Sequence, residues 1–183
     1  MLPRPVNVAI HWSVALVIAF VGVACGLRPA APPAAWVGDE VMNYHRIENG
    51  LATANVITVA ALPKLLEAGF KTIIDLRSPT ESGVAEEAAA AERIGLRYVN
   101  IPVTLVTLSP ESVRKVAEVL DRSANRPVLV HCATGNRVGA VMELYREAIH
   151  GVAHEAARNE ARAIGLQAPE MIEAVERVWR QMQ

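Results

Sequence analysis

The sequence has no excess of basic charge and only two cysteines. These two features argue against nucleic-acid binding and against disulfide or zinc sites. Its 18 lysines and arginines are balanced by 19 aspartates and glutamates, which leaves a formal net charge of −1. No basic run is interleaved with aromatic residues, so we expect no nucleic-acid partner. Cys25 and Cys132 lie in such different settings that we expect neither a mutual disulfide nor a zinc site. We expect the protein to use no metal and no other cofactor.

The first 28 residues have the layout of an export signal. One early positive residue, Arg4, is followed by an uncharged, apolar stretch up to Leu27 and then by Arg28. This layout predicts a secretory signal peptide, with a retained single-pass membrane anchor as the alternative. The residues before Cys25 resemble the small-residue box of bacterial lipoproteins, so lipidation of Cys25 is a third interpretation. Each of these three interpretations predicts an exported protein, either periplasmic or held at the membrane. A Pro/Ala-rich linker is predicted over residues 29–42.

Residues 43–183 alternate between short β-type runs and helical segments, and we expect them to form one domain. Runs rich in β-branched residues predict strands over 71–76, 96–103 and 126–131. Helices are predicted between them, one of them opened by Ser109 as N-cap and Pro110 at the first helical position. The pattern predicts an α/β domain, with a mainly parallel central sheet flanked by helices and a helical C-terminal third.

The stretch "LVHCATGNRVGA", residues 129–140, places Cys132 between a predicted strand and a predicted helix. Loop amides and the helix dipole favour the thiolate form of such a cysteine, and Arg137 adds a full positive charge. The same amides form a cradle for an oxyanion, and a guanidinium group can bind two of its oxygens. Ligands of parallel sheets bind at the carboxyl ends of the strands, where Asp75 also falls. The sequence therefore predicts a nucleophile in an anion-binding loop.

The segment "VHCATGNR" resembles the signature of the cysteine-dependent phosphatases of the tyrosine and dual-specificity superfamily, which has His-Cys, a glycine-containing loop and Arg. The wider text, over roughly residues 43–167, is similar to small bacterial tyrosine-phosphatase-like proteins, including the domain found beside β-lactamase-like hydrolases. The resemblance implies that Cys132 forms a phosphocysteine and that His131 tunes the thiolate through hydrogen bonds to the loop backbone. It also implies a set of phosphate-binding residues: Ala133, Thr134, Gly135, Asn136 and Arg137.

One departure from the superfamily pattern is the length of the loop. Four residues separate Cys132 from Arg137, where the usual signature has five, so the loop offers the phosphate one amide fewer. Rhodanese-like sulfurtransferases have a loop of this shorter length. They usually continue to a further strand after the loop helix, however, whereas this chain is helical to its end.

The second departure is the missing general acid. The superfamily usually places an aspartate some thirty residues before the cysteine, but this chain has no aspartate between Asp75 and Asp121. Asp75 is the candidate replacement acid, with Glu81 and Glu111 as alternatives. The competing interpretation of Asp75 is a structural carboxylate that binds neighbouring N–H groups or Arg77.

These residues favour an enzyme that hydrolyses phosphomonoesters, either of a phosphorylated protein or of a small molecule, with phosphotyrosine or a similar group as substrate. Beyond Arg137 the loop has no further arginine and no lysine, which disfavours highly charged inositol phosphates. Two alternatives stay open: a rhodanese-like sulfurtransferase, and a relative that binds or senses phosphate with little turnover.

Overall fold

The computed structural model describes residues 41–183, which contain five strands and six α-helices. The strands are β1 (His45–Glu48), β2 (Leu51–Ala54), β3 (Thr72–Asp75), β4 (Arg97–Asn100) and β5 (Val128–His131). The helices are α1 (Ala61–Glu67), α2 (Val84–Arg93), α3 (Pro110–Leu120), α4 (Asn136–Leu144), α5 (His154–Ile164) and α6 (Pro169–Met182). A π-helical turn, Tyr145–Ile149, continues α4.

The predictions for the N-terminal segment lie outside the described residues. They are the signal or anchor over 1–28, nearly all of the linker over 29–42, and the lipidation of Cys25. Within residues 41–183, every helix is too short or too polar to cross a membrane.

The five strands form one sheet in the order β1-β2-β5-β3-β4. β1 runs antiparallel to β2, and all other neighbours are parallel. This arrangement confirms the predicted mainly parallel sheet and its three predicted strands. The hairpin of β1 and β2 was not predicted, although Asn49 and Gly50 between the two strands are a recognised hairpin signal.

The sheet separates two apolar clusters, and the alternation of strand side chains decides which residues join each. Helices α1 and α2 pack on one face, against Leu129 of β5 among others. Helices α3 to α6 pack on the other face, against Val128 and Val130. Cys132 belongs to this second cluster. His131 is therefore expected on the opposite face, beneath α2.

Local signals set where the helices begin. The Ser109 side chain accepts a hydrogen bond from the backbone N–H of Ser112, and the Ser112 hydroxyl in turn accepts from Ser109 N–H, so α3 opens with a reciprocal cap. Pro110 occupies the first turn of α3, as predicted. The helical C-terminal third is confirmed by α5 and α6.

Candidate active site

Cys132 directly follows β5, at the carboxyl edge of the parallel strands, and its thiol is free and buried. Its Sγ accepts a hydrogen bond from the backbone N–H of Gly135, at 3.2 Å. The loop therefore folds back on the cysteine as the sequence predicted.

Gly135 makes this turn possible because its backbone adopts φ +88°. A Cβ atom at this position would lie 2.4 Å from the carbonyl oxygen of Ile164 and 2.7 Å from Oδ1 of Asn55. The loop is thus held between the turn after β2 and the turn between α5 and α6. Only glycine combines the positive φ with this close approach.

The side chain of Asn136 holds the loop through hydrogen bonds to the turn before α6. Its Oδ1 accepts hydrogen bonds from the backbone N–H groups of Gln167 and Ala168, each at 2.8 Å. Its Nδ2 donates to Oγ1 of Thr134 at 3.4 Å. The Asn136 side chain therefore positions the loop. The predicted contact with phosphate would be made by the backbone N–H of Asn136.

Arg137 lies in the first turn of α4 and forms a two-point ion pair with Glu81. Its Nη1 donates to Oε1 at 2.5 Å and its Nη2 to Oε2 at 2.8 Å. These hydrogen bonds from Arg137 lower the pKa of Glu81 to about 2. The pKa of Arg137 is raised, first by the hydrogen bonds to Glu81 and then by the neighbouring Cys132 sulfur, although burial of the guanidinium group acts in the opposite direction. The sequence offered Glu81 as an alternative acid and gave no sign of this ion pair.

Asp75 does not fit the general acid proposed for it from sequence. Its carboxylate is fully buried and accepts hydrogen bonds from the backbone N–H, Nε and Nη2 of Arg77 at 2.8–3.0 Å. The hydroxyl of Tyr98 donates to the same carboxylate at 2.6 Å. Burial, the largest single influence, would raise the pKa of Asp75, but the hydrogen bonds from Arg77 and Tyr98 and the nearby His131 together lower it. An ionised carboxylate has no proton to donate, so the structural role with Arg77 is the one the geometry favours.

His131 also occupies a different setting from the one implied by the resemblance. Its Nε2 lies 2.8 Å from Oε1 of Glu87 and 3.8 Å from Oδ1 of Asp75. The contact with Glu87 is close but lacks the geometry of a hydrogen bond. Among residues 41–183, neither ring nitrogen has a hydrogen bond, to the loop backbone or elsewhere. His131 faces away from the loop because successive residues of a strand point to opposite faces of the sheet.

In the part of the chain that the structure describes, two clusters bring potential metal-ligating atoms within 4.8 Å of one another: Asp75 with Glu87 and His131, and Glu143 with Glu147 and His154. In the first cluster, the guanidinium group of Arg77 binds both carboxylates. In the second cluster, Arg158 binds Glu143 at 2.6 Å. Each cluster thus contains a cation supplied by the chain itself.

The chain is similar to known phosphatase domains. The family model of the "DSP-PTPase phosphatase fused to NAD+ Kinase" matches residues 36–177. The "Beta-lactamase hydrolase-like protein" of Agrobacterium fabrum is 33% identical over 100 residues, which is 52% of this chain and 23% of that protein. "Probable NAD kinase 2, chloroplastic" of Oryza sativa is 30% identical over 110 residues, which is 57% of this chain and 11% of that protein.

The chain thus aligns with about a quarter of the first relative and about a tenth of the second. Among solved structures, TpbA of P. aeruginosa superposes with a TM-score of 0.63 at 21% identity, covering 84% of this chain and 91% of that one. At this identity the superposition shows a shared fold.

Proposed function

The chain belongs to the DSP-PTPase phosphatase family named for its fusion to NAD+ kinase, and on that premise we propose that it hydrolyses phosphomonoesters through a phosphocysteine on Cys132. The observation that supports this mechanism most is the folded-back loop, in which Cys132 Sγ accepts the Gly135 N–H beside Arg137. A thiolate next to a full positive charge and loop amides is both a nucleophile and part of an oxyanion site.

The proposed reaction has two steps. In the first, Sγ of Cys132 attacks phosphorus and the bond from phosphorus to the leaving oxygen breaks. Arg137 and the backbone N–H groups of residues 133–137 bind the phosphoryl oxygens as their charge redistributes. In the second step water attacks the phosphocysteine, which releases inorganic phosphate and regenerates the thiolate.

In this proposal Glu81 is a positioning residue for Arg137. The ion pair uses one N–H of Nη1 and one of Nη2, whereas a guanidinium group carries five N–H donors. The remaining donors can bind phosphate while Glu81 holds the side chain beside Cys132. A carboxylate that fixes the arginine before substrate arrives lowers the cost of ordering it on binding.

The proposed substrate is phosphotyrosine or a similar monoester, on a protein or a small molecule. TpbA, which shares the fold, has been crystallised in complex with pTyr. Within the anion loop of this chain, Arg137 is the sole cationic side chain, which suits one phosphate group better than a highly phosphorylated ring.

Turnover of an aryl phosphate by the full chain tests this function. Cys132→Ser should abolish hydrolysis, and acid quenching of the unmodified protein should trap a phosphoryl group on Cys132. Cys25→Ser is the matched control, because it removes the other cysteine. Equal activity of Cys132→Ser, or failure of the unmodified protein to turn over any aryl phosphate, would show that the phosphocysteine mechanism is incorrect.

A sulfurtransferase is the second candidate, because the four-residue loop has the rhodanese length. Within residues 41–183, however, only helices follow β5, which is the pattern expected of a phosphatase. Transfer of sulfur from thiosulfate to cyanide by the same preparation would support the sulfurtransferase. Tight phosphate binding without turnover would instead indicate a sensing protein.

We also propose export, with the protein periplasmic or held at the membrane through its first 28 residues. The proposal comes from the sequence of that segment alone. Mass measurement of the N-terminus from membrane and soluble fractions tests it. The mass would distinguish signal cleavage, lipidation of Cys25 and retention of the whole segment as an anchor.

A further inference from the structure

Among residues 41–183, acidic side chains are scarce at the edge of the sheet where Cys132 lies. The segments that follow β2, β4 and β5, residues 55–60, 101–109 and 132–137, contain no aspartate or glutamate. β3 and the loop after it supply Asp75 and Glu81, and the first turn of α3 supplies Glu111. These three carboxyl groups are the proton donors that the sequence offered.

Each of the three carboxylates is engaged by a cation. Both oxygens of Asp75 bind the buried Arg77, and both oxygens of Glu81 bind Arg137. The side chain of Glu111 is 72% exposed and lies 2.7 Å from Nζ of Lys115.

The pKa values agree with this geometry. A hydrogen bond from Lys115 lowers the pKa of Glu111, and the pKa values of Asp75 and Glu81 are also lowered. All three groups are therefore ionised at neutral pH and hold no proton for a leaving oxygen.

We propose that this site selects its substrates by the stability of the departing anion, so that it cleaves aryl phosphates, acyl phosphates and phosphoanhydrides and discriminates against alkyl phosphates. The inference rests on the proposed phosphocysteine mechanism and specifies its substrate class. It follows from the ion pairs that engage Asp75, Glu81 and Glu111, together with the hydrogen bond from Gly135 to Cys132.

The first step then proceeds without transfer of a proton from the protein. The S–P bond forms as the P–O bond breaks, and the electron pair of the broken bond leaves on oxygen as an anion, which solvent later protonates. In the second step water adds to phosphorus, the S–P bond breaks, and the water proton passes to solvent. The cost of the first step rises with the pKa of the leaving group, because none of the three carboxyl groups donates a proton to the departing oxygen.

The size of the effect follows from what a general acid contributes. Proton donation accelerates such a step by about 10²–10⁴-fold. The tyrosine phenol has a pKa of about 10 and a carboxylic acid has one of about 4, whereas an aliphatic hydroxyl is a far weaker acid than either. Without an acid, acyl phosphates should react faster than phosphotyrosine, and phosphotyrosine should react faster than phosphoserine by about 10²–10⁴-fold.

The experiment measures kcat/KM of the full chain for aryl phosphates with phenols of graded acidity, and for acetyl phosphate, phosphotyrosine and phosphoserine. The ratio kcat/KM reports loss of the leaving group even where breakdown of the phosphocysteine limits kcat. We expect log(kcat/KM) to fall steeply and linearly as the pKa of the phenol rises. A flat dependence, or hydrolysis of phosphoserine within about tenfold of phosphotyrosine, would overturn the inference, since either requires a proton donor.

Four variants test single carboxylates as proton donors: Asp75→Asn, Glu81→Gln, Glu111→Gln and Glu170→Gln. The last tests an exposed carboxylate in the first turn of α6, close in sequence to the turn that binds Asn136. We expect each variant to keep the slope of the unmodified protein, whatever its absolute rate. A variant with a steeper slope has lost a proton donor, and the inference would be refuted.

If Asp75→Asn does not fold, the slope of the unmodified protein still decides the inference. The outcomes also separate it from the proposed function. Turnover that depends on Cys132 but shows a flat slope refutes only the leaving-group selection. Absence of turnover with every substrate refutes the proposed function itself.

Discussion

Glutamine in place of Glu81 keeps the shape of the side chain and removes the charge that holds Arg137. We expect this substitution to weaken both the fold and the activity. The loss of stability arises because Arg137, with a side chain only 16% exposed, would keep its charge without a carboxylate partner. The loss of activity arises because the guanidinium group would no longer be held beside Cys132.

The loss of stability depends on the strength of the ion pair between Glu81 and Arg137. The pKa of Glu81 is lowered from 4.5 to about 2. At 1.36 kcal/mol per pKa unit, this difference sets an upper limit of about 3 kcal/mol. The Glu81 side chain is 34% exposed, and solvent screening reduces such a pair to about 1 kcal/mol. We therefore expect Glu81→Gln to lower the free energy of unfolding by about 1 kcal/mol at neutral pH, and kcat/KM by about fivefold.

The pH dependence follows from the direction of the pKa change. Because the pKa of Glu81 is lower in the folded state, its stabilising contribution is complete above its ordinary pKa of 4.5 and is lost as pH falls towards about 2. Urea unfolding should therefore show a difference between the unmodified protein and Glu81→Gln at neutral pH that shrinks at about pH 3.

Glu86→Gln is the matched control, because Glu86 is an exposed acid on α2. We expect it to leave stability and activity unchanged. Two results would refute the reasoning. Equal stability of Glu81→Gln and Glu86→Gln at neutral pH would show that the ion pair contributes nothing. Higher activity of Glu81→Gln, with a lower inhibition constant for inorganic phosphate, would show that Glu81 competes with phosphate instead of positioning Arg137.

Three further predictions concern the loop and the helix ends, and urea unfolding measures each. Gly135→Ala should lower the free energy of unfolding by about 2–4 kcal/mol, because the added Cβ would both strain the positive φ and overlap a backbone carbonyl oxygen. Gly69→Ala is its control: φ is +90° there but no atom lies within 4 Å, so the loss should be only about 1 kcal/mol. Equal costs would contradict the close approach at Gly135. Asn136→Ala should lower the free energy of unfolding by about 1–3 kcal/mol, since two backbone N–H groups lose their acceptor. An unchanged free energy would mean that water replaces the lost oxygen. Ser109→Ala should lose about 1 kcal/mol through the cap of α3, and an unchanged midpoint would contradict that role.

Much of the fold was predictable because its signals are local. β-branched runs marked β3, β4 and β5, and Ser109 with Pro110 marked the start of α3. The strand, loop and helix around Cys132 were also predictable, because the glycine and the change of periodicity lie within a dozen residues. The hairpin of β1 and β2 was missed although its turn signal is equally local. Its short strands lack the β-branched runs that identified the others.

The roles of the charged residues were decided by tertiary structure. Sequence alone placed Asp75 and Glu81 near the site as acids, but it could not show which cation each would meet. Arg137 meets Glu81 across 56 residues of sequence, and His131 meets Glu87 because α2 packs over its face of the sheet. A pKa depends on the charges and burial around a group, and both arise only when distant segments pack. The sequence by itself determined the strand, loop and helix around Cys132, and the packing of the sheet and helices decided which cation each carboxylate meets.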